Sequence, residues 1–172
     1  RRRHTRSLCD WSSDVCSSDL GRYEEAIASY DKAVEFKPDD HEAWNNRGIA
    51  LGNLGRYEDE IASYDKAVEF KPDYHKAWYN RGNALGNLGR YEEAIASYDK
   101  AVEIKPDDHD AWYNRGVALG NLGRYEEAIA SYDKAVEIKP DDHEAWNNRG
   151  RSEEHTSELQ SHSDLVCRLL LE

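Results

Sequence analysis

His41, His75, His109 and His143 recur at intervals of 34 residues, and all but His75 follow a pair of aspartates. Imidazole beside carboxylate is the donor set of a zinc site and of a general acid–base pair. One histidine per interval, however, puts successive rings about a helix diameter apart. That is too far to share an ion, so the pattern predicts exposed histidines in the first turns of successive helices. Gly82, Gly86 and Gly89 hint at a phosphate cradle, but no Lys-Ser or Lys-Thr follows them and no strand precedes them. Close helix packing and helix termination account for these glycines. Carboxylates such as Glu92 and Glu93 read as a solvated outer face. No serine, cysteine or histidine constellation stands apart from the repeat, so the sequence predicts no catalytic residue, no metal site, no cofactor and no enzyme activity of its own.

The elements that carry these residues follow from the 34-residue unit, His41 to Tyr74, His75 to Asp108 and His109 to Asp142. The second and third copies differ only at Lys76/Asp110 and Asn83/Val117. A unit copied so closely is one supersecondary element that stacks on its neighbours. Trp78, Gly82, Leu85 and Leu88 fall three or four apart and Gly89 ends the run, which predicts a first helix. Tyr91, Ala94, Ile95, Tyr98, Ala101, Val102 and Ile104 keep the same spacing up to Pro106, which predicts a second. Asp107 and Asp108 sit where the next helix needs an N-cap. Asp39 with Glu42, and Asp141 with Glu144, have the form of capping boxes.

With Trp78, Arg81-Gly82, Leu85, Ala94, Tyr98, Ala101 and Pro106 in series, the chain resembles the tetratricopeptide repeat family, whose pattern sets Trp, Leu-Gly, Tyr, Ala, Phe, Ala and Pro at fixed offsets. The resemblance covers residues 21–150: a second-helix remnant (21–40), full repeats 41–74, 75–108 and 109–142, and a first-helix remnant (143–150). It implies an all-α fold in which helix-turn-helix repeats stack as a right-handed α-solenoid. Gly82 and Ala94 let the helices of a hairpin approach, while Trp78 and Tyr98 supply apolar area.

The chain departs from the family pattern in two places. Arg47, Arg81, Arg115 and Arg149 replace the usual leucine, which suggests a paired or stacked arginine whose stem packs while its head reaches water. Glu60 stands where Ala94 and Ala128 stand in the other copies and is expected to face Gly48 across its hairpin.

The copies vary most at Glu42/Lys76/Asp110/Glu144, Asn45/Tyr79/Tyr113/Asn147 and Ile49/Asn83/Val117, positions three and four apart that form one stripe on each first helix. In the family the matching stripe lines a concave groove for peptides or partner helices. Drift on an unimportant exposed face explains the same variation. On the groove reading, Tyr79 and Tyr113 are anchors, and Asn46, Asn53, Asn80, Asn87, Asn114 and Asn121 offer donors and acceptors to an extended backbone. Lys76 is then the one cation in an acidic groove. Asn45, Tyr79 and Tyr113 occupy positions where the family's clamp for a chaperone C-terminal carboxylate wants lysine. That argues against a clamp and for a ligand with basic or polar and aromatic side chains.

The flanks read differently. CDWSSDVCSSDL (Cys9 to Leu20) can be encoded by a DNA string whose reverse complement encodes RSEEHTSELQSH (Arg151 to His162). Two unrelated tails do not share one inverted DNA sequence, and the string resembles the indexing adapters of short-read libraries. Residues 1–20 and 151–172 are therefore expected to be adapter-derived and non-native. They hold all three cysteines, the basic run Arg1 to Arg3 with Arg6, and the apolar run Leu165 to Leu171. The flanks carry +1 and −3, so residues 21–150 hold −10 of the net −12. An acidic array argues against nucleic acid and anionic membrane as partners, and a protein or peptide is expected instead. The sequence has no secretory signal, which leaves the cytoplasm as the default location, and no methionine, as an internal fragment would. The two remnants are expected to fray or to borrow flank residues as caps. A binding scaffold, the substrate-presenting repeats of a larger kinase, glycosyltransferase or protease, and a mere assembly fragment all stay open.

Overall fold

The structure is a computed structural model that describes the backbone of residues 11–169 and the side chains of residues 21–161. The basic run at Arg1 to Arg6 and Cys9 lie outside the described residues, as do the side chains of Cys16, Cys167 and the Leu165 to Leu171 run. Among the described residues there are eight helices and no strand: α1 (Trp11–Phe36), α2 (His41–Asn53), α3 (Tyr57–Phe70), α4 (His75–Asn87), α5 (Tyr91–Ile104), α6 (His109–Asn121), α7 (Tyr125–Ile138) and α8 (His143–Leu169). The fold is all-α, of the repeat-solenoid kind expected.

The chain forms two compact units, one up to Pro72 and one from Asp73. In the first, α2 and α3 make a hairpin and α1 lies against α2. In the second, α4 pairs with α5 and α6 with α7, α5 packs on α6, α7 packs on α8, and the first helices α4, α6 and α8 touch in sequence.

Each hairpin turns on a glycine in the left-handed region. Gly89 has φ +73°, its N–H bonds Gly86 O at 3.0 Å, and the next N–H, from Arg90, bonds Leu85 O at 2.9 Å. This double closure satisfies the carbonyls that the helix end leaves free. At the other end, the indole N–H of Trp112 donates to Pro106 O at 2.9 Å, and Trp44 and Trp146 do the same to Pro38 O and Pro140 O. One side chain thus seals the loop and packs the core.

The capping aspartate is the second of each pair, which corrects the expected boxes. Asp40 accepts from Glu42 and Ala43 N–H, Asp108 from Ala111, and Asp142 from Glu144 and Ala145. The helices start one residue later than Asp39 or Asp141 requires, so the third helical position is alanine, which has no side chain to return the bond. Those N–H groups hold the Asp40 carboxyl below the usual carboxylate range.

Small residues bring the helices together. A Cβ at Gly82 would lie 2.5 Å from Tyr98 Cε1, so the hairpin closes only over a hydrogen atom. In the second unit Ala101, Val102 and Ala111 pack with Trp78, Tyr79 and Trp112, and Ala135, Val136 and Ala145 pack with Trp112 and Tyr113. In the first unit Ile27, Ala50 and Leu51 pack with Tyr23, Tyr30 and Leu54. The remnant at His143 does not stop at Gly150. It continues as one 27-residue helix through the flank, burying Ser152 and stacking His155 on Tyr125 with ring centroids 4.9 Å apart.

Candidate functional site

The repeated arginine has its partners at fixed distances along the chain. Arg115 Nε donates to Asp99 Oδ1 on α5 at 2.6 Å and its Nη1 to Ser131 Oγ on α7 at 2.6 Å, while the guanidinium lies 5.8 Å from the Trp112 ring centre. Arg47 repeats the set with Asp31, Ser63 and Trp44. Arg47 and Arg115 therefore each join the preceding second helix to their own hairpin. The partners lie sixteen residues before and after the arginine, a spacing legible in the repeat once the hairpin is drawn.

Glu60 faces Gly52, not Gly48. A Cβ at Gly52 would lie 2.6 Å from Glu60 Oε1, whereas Gly48 opposes Tyr64. The two helices run antiparallel, so stepping one turn back along α3 means stepping one turn forward along α2. Glu60 is 8% exposed, accepts from Tyr64 Oη at 3.1 Å through Oε1, and leaves Oε2 buried without a partner. Burial pushes its carboxyl pKa up.

The histidines are not the exposed set expected. His41, His75 and His109 are partly buried and only His143 is exposed. His109 Nε2 lies 2.7 Å from Asp142 Oδ2 and its Nδ1 3.0 Å from Asp110 Oδ1, because the first turn of α6 meets the first turn of α8. Among the described residues no group of three or more His, Cys, Asp or Glu is placed to hold a metal ion, and no helix is long and apolar enough to cross a membrane.

The varying stripe in the second unit is partly used up by the fold. Asn114 Nδ2 on α6 donates to Tyr79 Oη at 3.1 Å and to Asn83 Oδ1 at 3.2 Å, and Asn148 on α8 donates to Tyr113 Oη at 2.9 Å. Asn83 Oδ1 also accepts from Tyr98 Oη. Tyr79 and Tyr113 are thus partly buried, their rings packed against the clusters of the following repeat and their hydroxyls held by its asparagines, while Asn80 and Val117 are also partly buried. Lys76, Asn87, Asp110 and Asn121 are exposed, and Asn121 bonds its own helix at Val117 O. In the first unit Glu42, Asn46, Ile49 and Asn53 are exposed, but Asn45 is buried at 4%. Sequence reasoning missed the asparagine–tyrosine ladder. Its signal was the fixed step of 35 residues from tyrosine to asparagine, one repeat plus one.

Two clefts open on this stripe. One, of about 570 Å³, lies between Tyr79 and Tyr113 and is lined by Asp110, Asp141, Asp142 and Glu144, with Lys139 as its one lysine. Burial works against charge on Asp142, but N–H groups of Ala145 and Glu144 and the nearby His109 outweigh it and hold its carboxyl low. Burial pushes the pKa of the Tyr79 and Tyr113 hydroxyls up. The other cleft, of about 440 Å³, is lined by Asn83, Asn87, Asn114, Asn121 and Tyr98 beside Gly86. The first is acidic and aromatic, the second neutral and rich in amides.

Two family models match the chain. One described as tetratricopeptide repeat covers residues 79–143, and one described as TPR repeat covers 19–55 and 53–89. Among solved structures, a crystal structure of MamA is 26% identical with TM-score 0.76, covering 80% of this chain and 75% of its own. YrrB, described as a TPR protein with an unusual peptide-binding site, is 25% identical with TM-score 0.72, covering 81% and 72%. The first TPR of Spaghetti (RPAP3), bound to the HSP90 peptide SRMEEVD, is 24% identical with TM-score 0.66, covering 68% and 93%, a likeness of fold. No curated protein matches the sequence.

Proposed function

Because the chain belongs to the tetratricopeptide repeat family, whose stacked hairpins serve as protein-interaction scaffolds, we propose that it binds an extended segment of a partner protein along the stripe formed by the first helices α4, α6 and α8 of its second unit. The observation that carries this reading is the cleft lined by Tyr79 and Tyr113, whose hydroxyls are held by Asn114 and Asn148, and by four carboxylates. Rigid aromatic rings give contact area at little entropic cost, and carboxylates select the charge of what enters between them. The segment that suits the cleft carries lysine or arginine next to aromatic or amide side chains, the amides reaching the neighbouring asparagine-lined cleft. YrrB and the Spaghetti domain support a peptide ligand in general. An acidic tail such as SRMEEVD does not suit a cleft of this charge.

The test is the charge preference of binding. A fluorescent peptide alternating lysine with tyrosine is expected to bind the full chain more tightly than its glutamate counterpart. Its affinity should fall as salt is added, since part of the attraction is screened. Equal binding of both peptides, or none, overturns the reading.

A further inference from the structure

The amide-lined cleft of the second unit has a counterpart in the first hairpin, built from other chemistry. Five of the residues that line it come from α4 and α5: Asn83, Gly86, Asn87, Tyr91 and Tyr98. One repeat earlier the same positions on α2 and α3 hold Ile49, Gly52, Asn53, Tyr57 and Tyr64, so an exposed isoleucine stands in place of an asparagine. Glu60 makes a second exchange. Its counterparts Ala94 and Ala128 are 0% exposed, and beside them a Cβ at Gly86 would meet only Tyr98 Oη, at 4.0 Å, and one at Gly120 nothing. Between α2 and α3 the carboxyl group fills that space, its oxygens 2.6 and 2.7 Å from where a Gly52 Cβ would stand.

A carboxylate held this way is half of an ion pair. Tyr64 Oη donates to Oε1, Oε2 is shut off from solvent with no partner, and among the described residues no lysine, arginine or histidine pairs with Glu60. Burial without a counter-charge raises its carboxyl pKa, and an arriving cation offsets that penalty. Gly52, bare of side chain, is partly exposed and gives the way in. Asn53 beside it turns its Nδ2 to Ile49 O at 2.8 Å, which leaves its Oδ1 as a second acceptor.

We propose that the slot over Gly52 is a cation site that takes the primary ammonium of a lysine side chain from a bound protein segment. The ammonium meets Glu60 Oε2 and Asn53 Oδ1, while its methylene stem lies on Ile49 and Tyr57. Lysine suits the slot better than arginine, because one open carboxylate oxygen matches a point charge and not a planar fork of five donors. Where the second unit offers amides, the first offers an apolar wall ending in a negative charge. The site lies wholly in the first unit and does not rest on what the cleft lined by Tyr79 and Tyr113 binds.

Amide chemical shifts of the full chain, followed as acetyl-Gly-Lys-Gly-amide is added, test it residue by residue and keep the second unit's acidic cleft apart. Saturable shifts at Gly52, Asn53 and Tyr64 are expected, and none there with the same peptide carrying ε-acetyl-lysine. Glu60→Gln keeps the shape and removes the charge, while Glu60→Ala restores the residue of the other hairpins, so both variants keep the fold. Each is expected to weaken binding at these residues at least about tenfold. Diffuse attraction to a chain of net charge −12 is hardly changed by the loss of one carboxylate, so affinity unaltered in either variant overturns the proposal. An absence of shifts at all three residues does the same. Binding of n-butylammonium without binding of the lysine peptide would overturn the assignment to a protein segment and leave free amines as the ligand.

Discussion

Arg115 Nη1 donates to Ser131 Oγ at 2.6 Å, and Ser131 is fully buried while Asp99, the other partner of the arginine, has a half-exposed carboxylate. The two bonds therefore have different weights. The serine hydroxyl donates its own hydrogen to Glu127 O and accepts the guanidinium N–H shut off from solvent, whereas the Asp99 carboxylate is open to water.

Replacing Arg115 with methionine is expected to destabilise the fold by about 1–3 kcal/mol, the scale of losing a charged hydrogen bond to a buried hydroxyl. Asp99→Asn, which removes only a solvent-screened pair, is expected to cost under about 1 kcal/mol. Urea titration of both variants checks the order. Equal losses would show that the ion pair, not the buried serine, fixes the arginine.

Glu60→Ala is expected to stabilise the protein by about 1–3 kcal/mol at neutral pH, because the wild-type carboxylate is buried with one oxygen unpartnered. The sign with pH follows from the raised folded-state pKa. A raised carboxyl is penalised when charged, so the wild type loses stability as pH rises from the unfolded value through the folded one, and recovers it as pH falls. The gain from alanine should therefore shrink in acid. Thermal melts across pH showing a constant or absent gain would place the Glu60 carboxylate in contact with solvent.

Two glycines four residues apart are expected to respond oppositely. Gly82→Ala drives a methyl to 2.5 Å from the Tyr98 ring and should cost about 1–3 kcal/mol of overpacking. Gly86→Ala places its methyl 4.0 Å from the Tyr98 hydroxyl and should gain about 0.5–1 kcal/mol of helix propensity. Denaturant midpoints of the pair decide it.

These outcomes mark what the sequence could and could not say. Apolar spacing, Gly89 and Pro106 located every helix of the repeat, because periodicity and punctuation are local. The partners of Arg115, the ladder from Asn114 to Tyr79 and the facing of Glu60 with Gly52 were not legible in the same way. They depend on the antiparallel register within a hairpin and on the step between hairpins, which no single helix encodes. The capping boxes failed for a narrower reason, a helix start displaced by one residue. Of the candidate site, the stripe of varying positions was legible, but not that Asn114 was already committed to the fold or that Asn45 was buried.

We read residues 1–20 and 151–172 as translated adapter, although the structure continues α8 through Arg151 without a break. Long single-molecule reads of the source DNA are expected to run from codon 21 backwards, and from codon 150 forwards, into sequence unlike these flanks. Reads that contain the flanks in frame would make them genuine protein.

The central claim rests on the rings of Tyr79 and Tyr113, and removing them is its most direct test. Titration of the lysine–tyrosine peptide into Tyr79→Ala/Tyr113→Ala, with helical content checked by circular dichroism, is predicted to show binding weakened by about thirtyfold or more, the scale of a lost aromatic anchor. Unchanged affinity in a folded double variant would contradict the assignment and move the binding surface off the first helices.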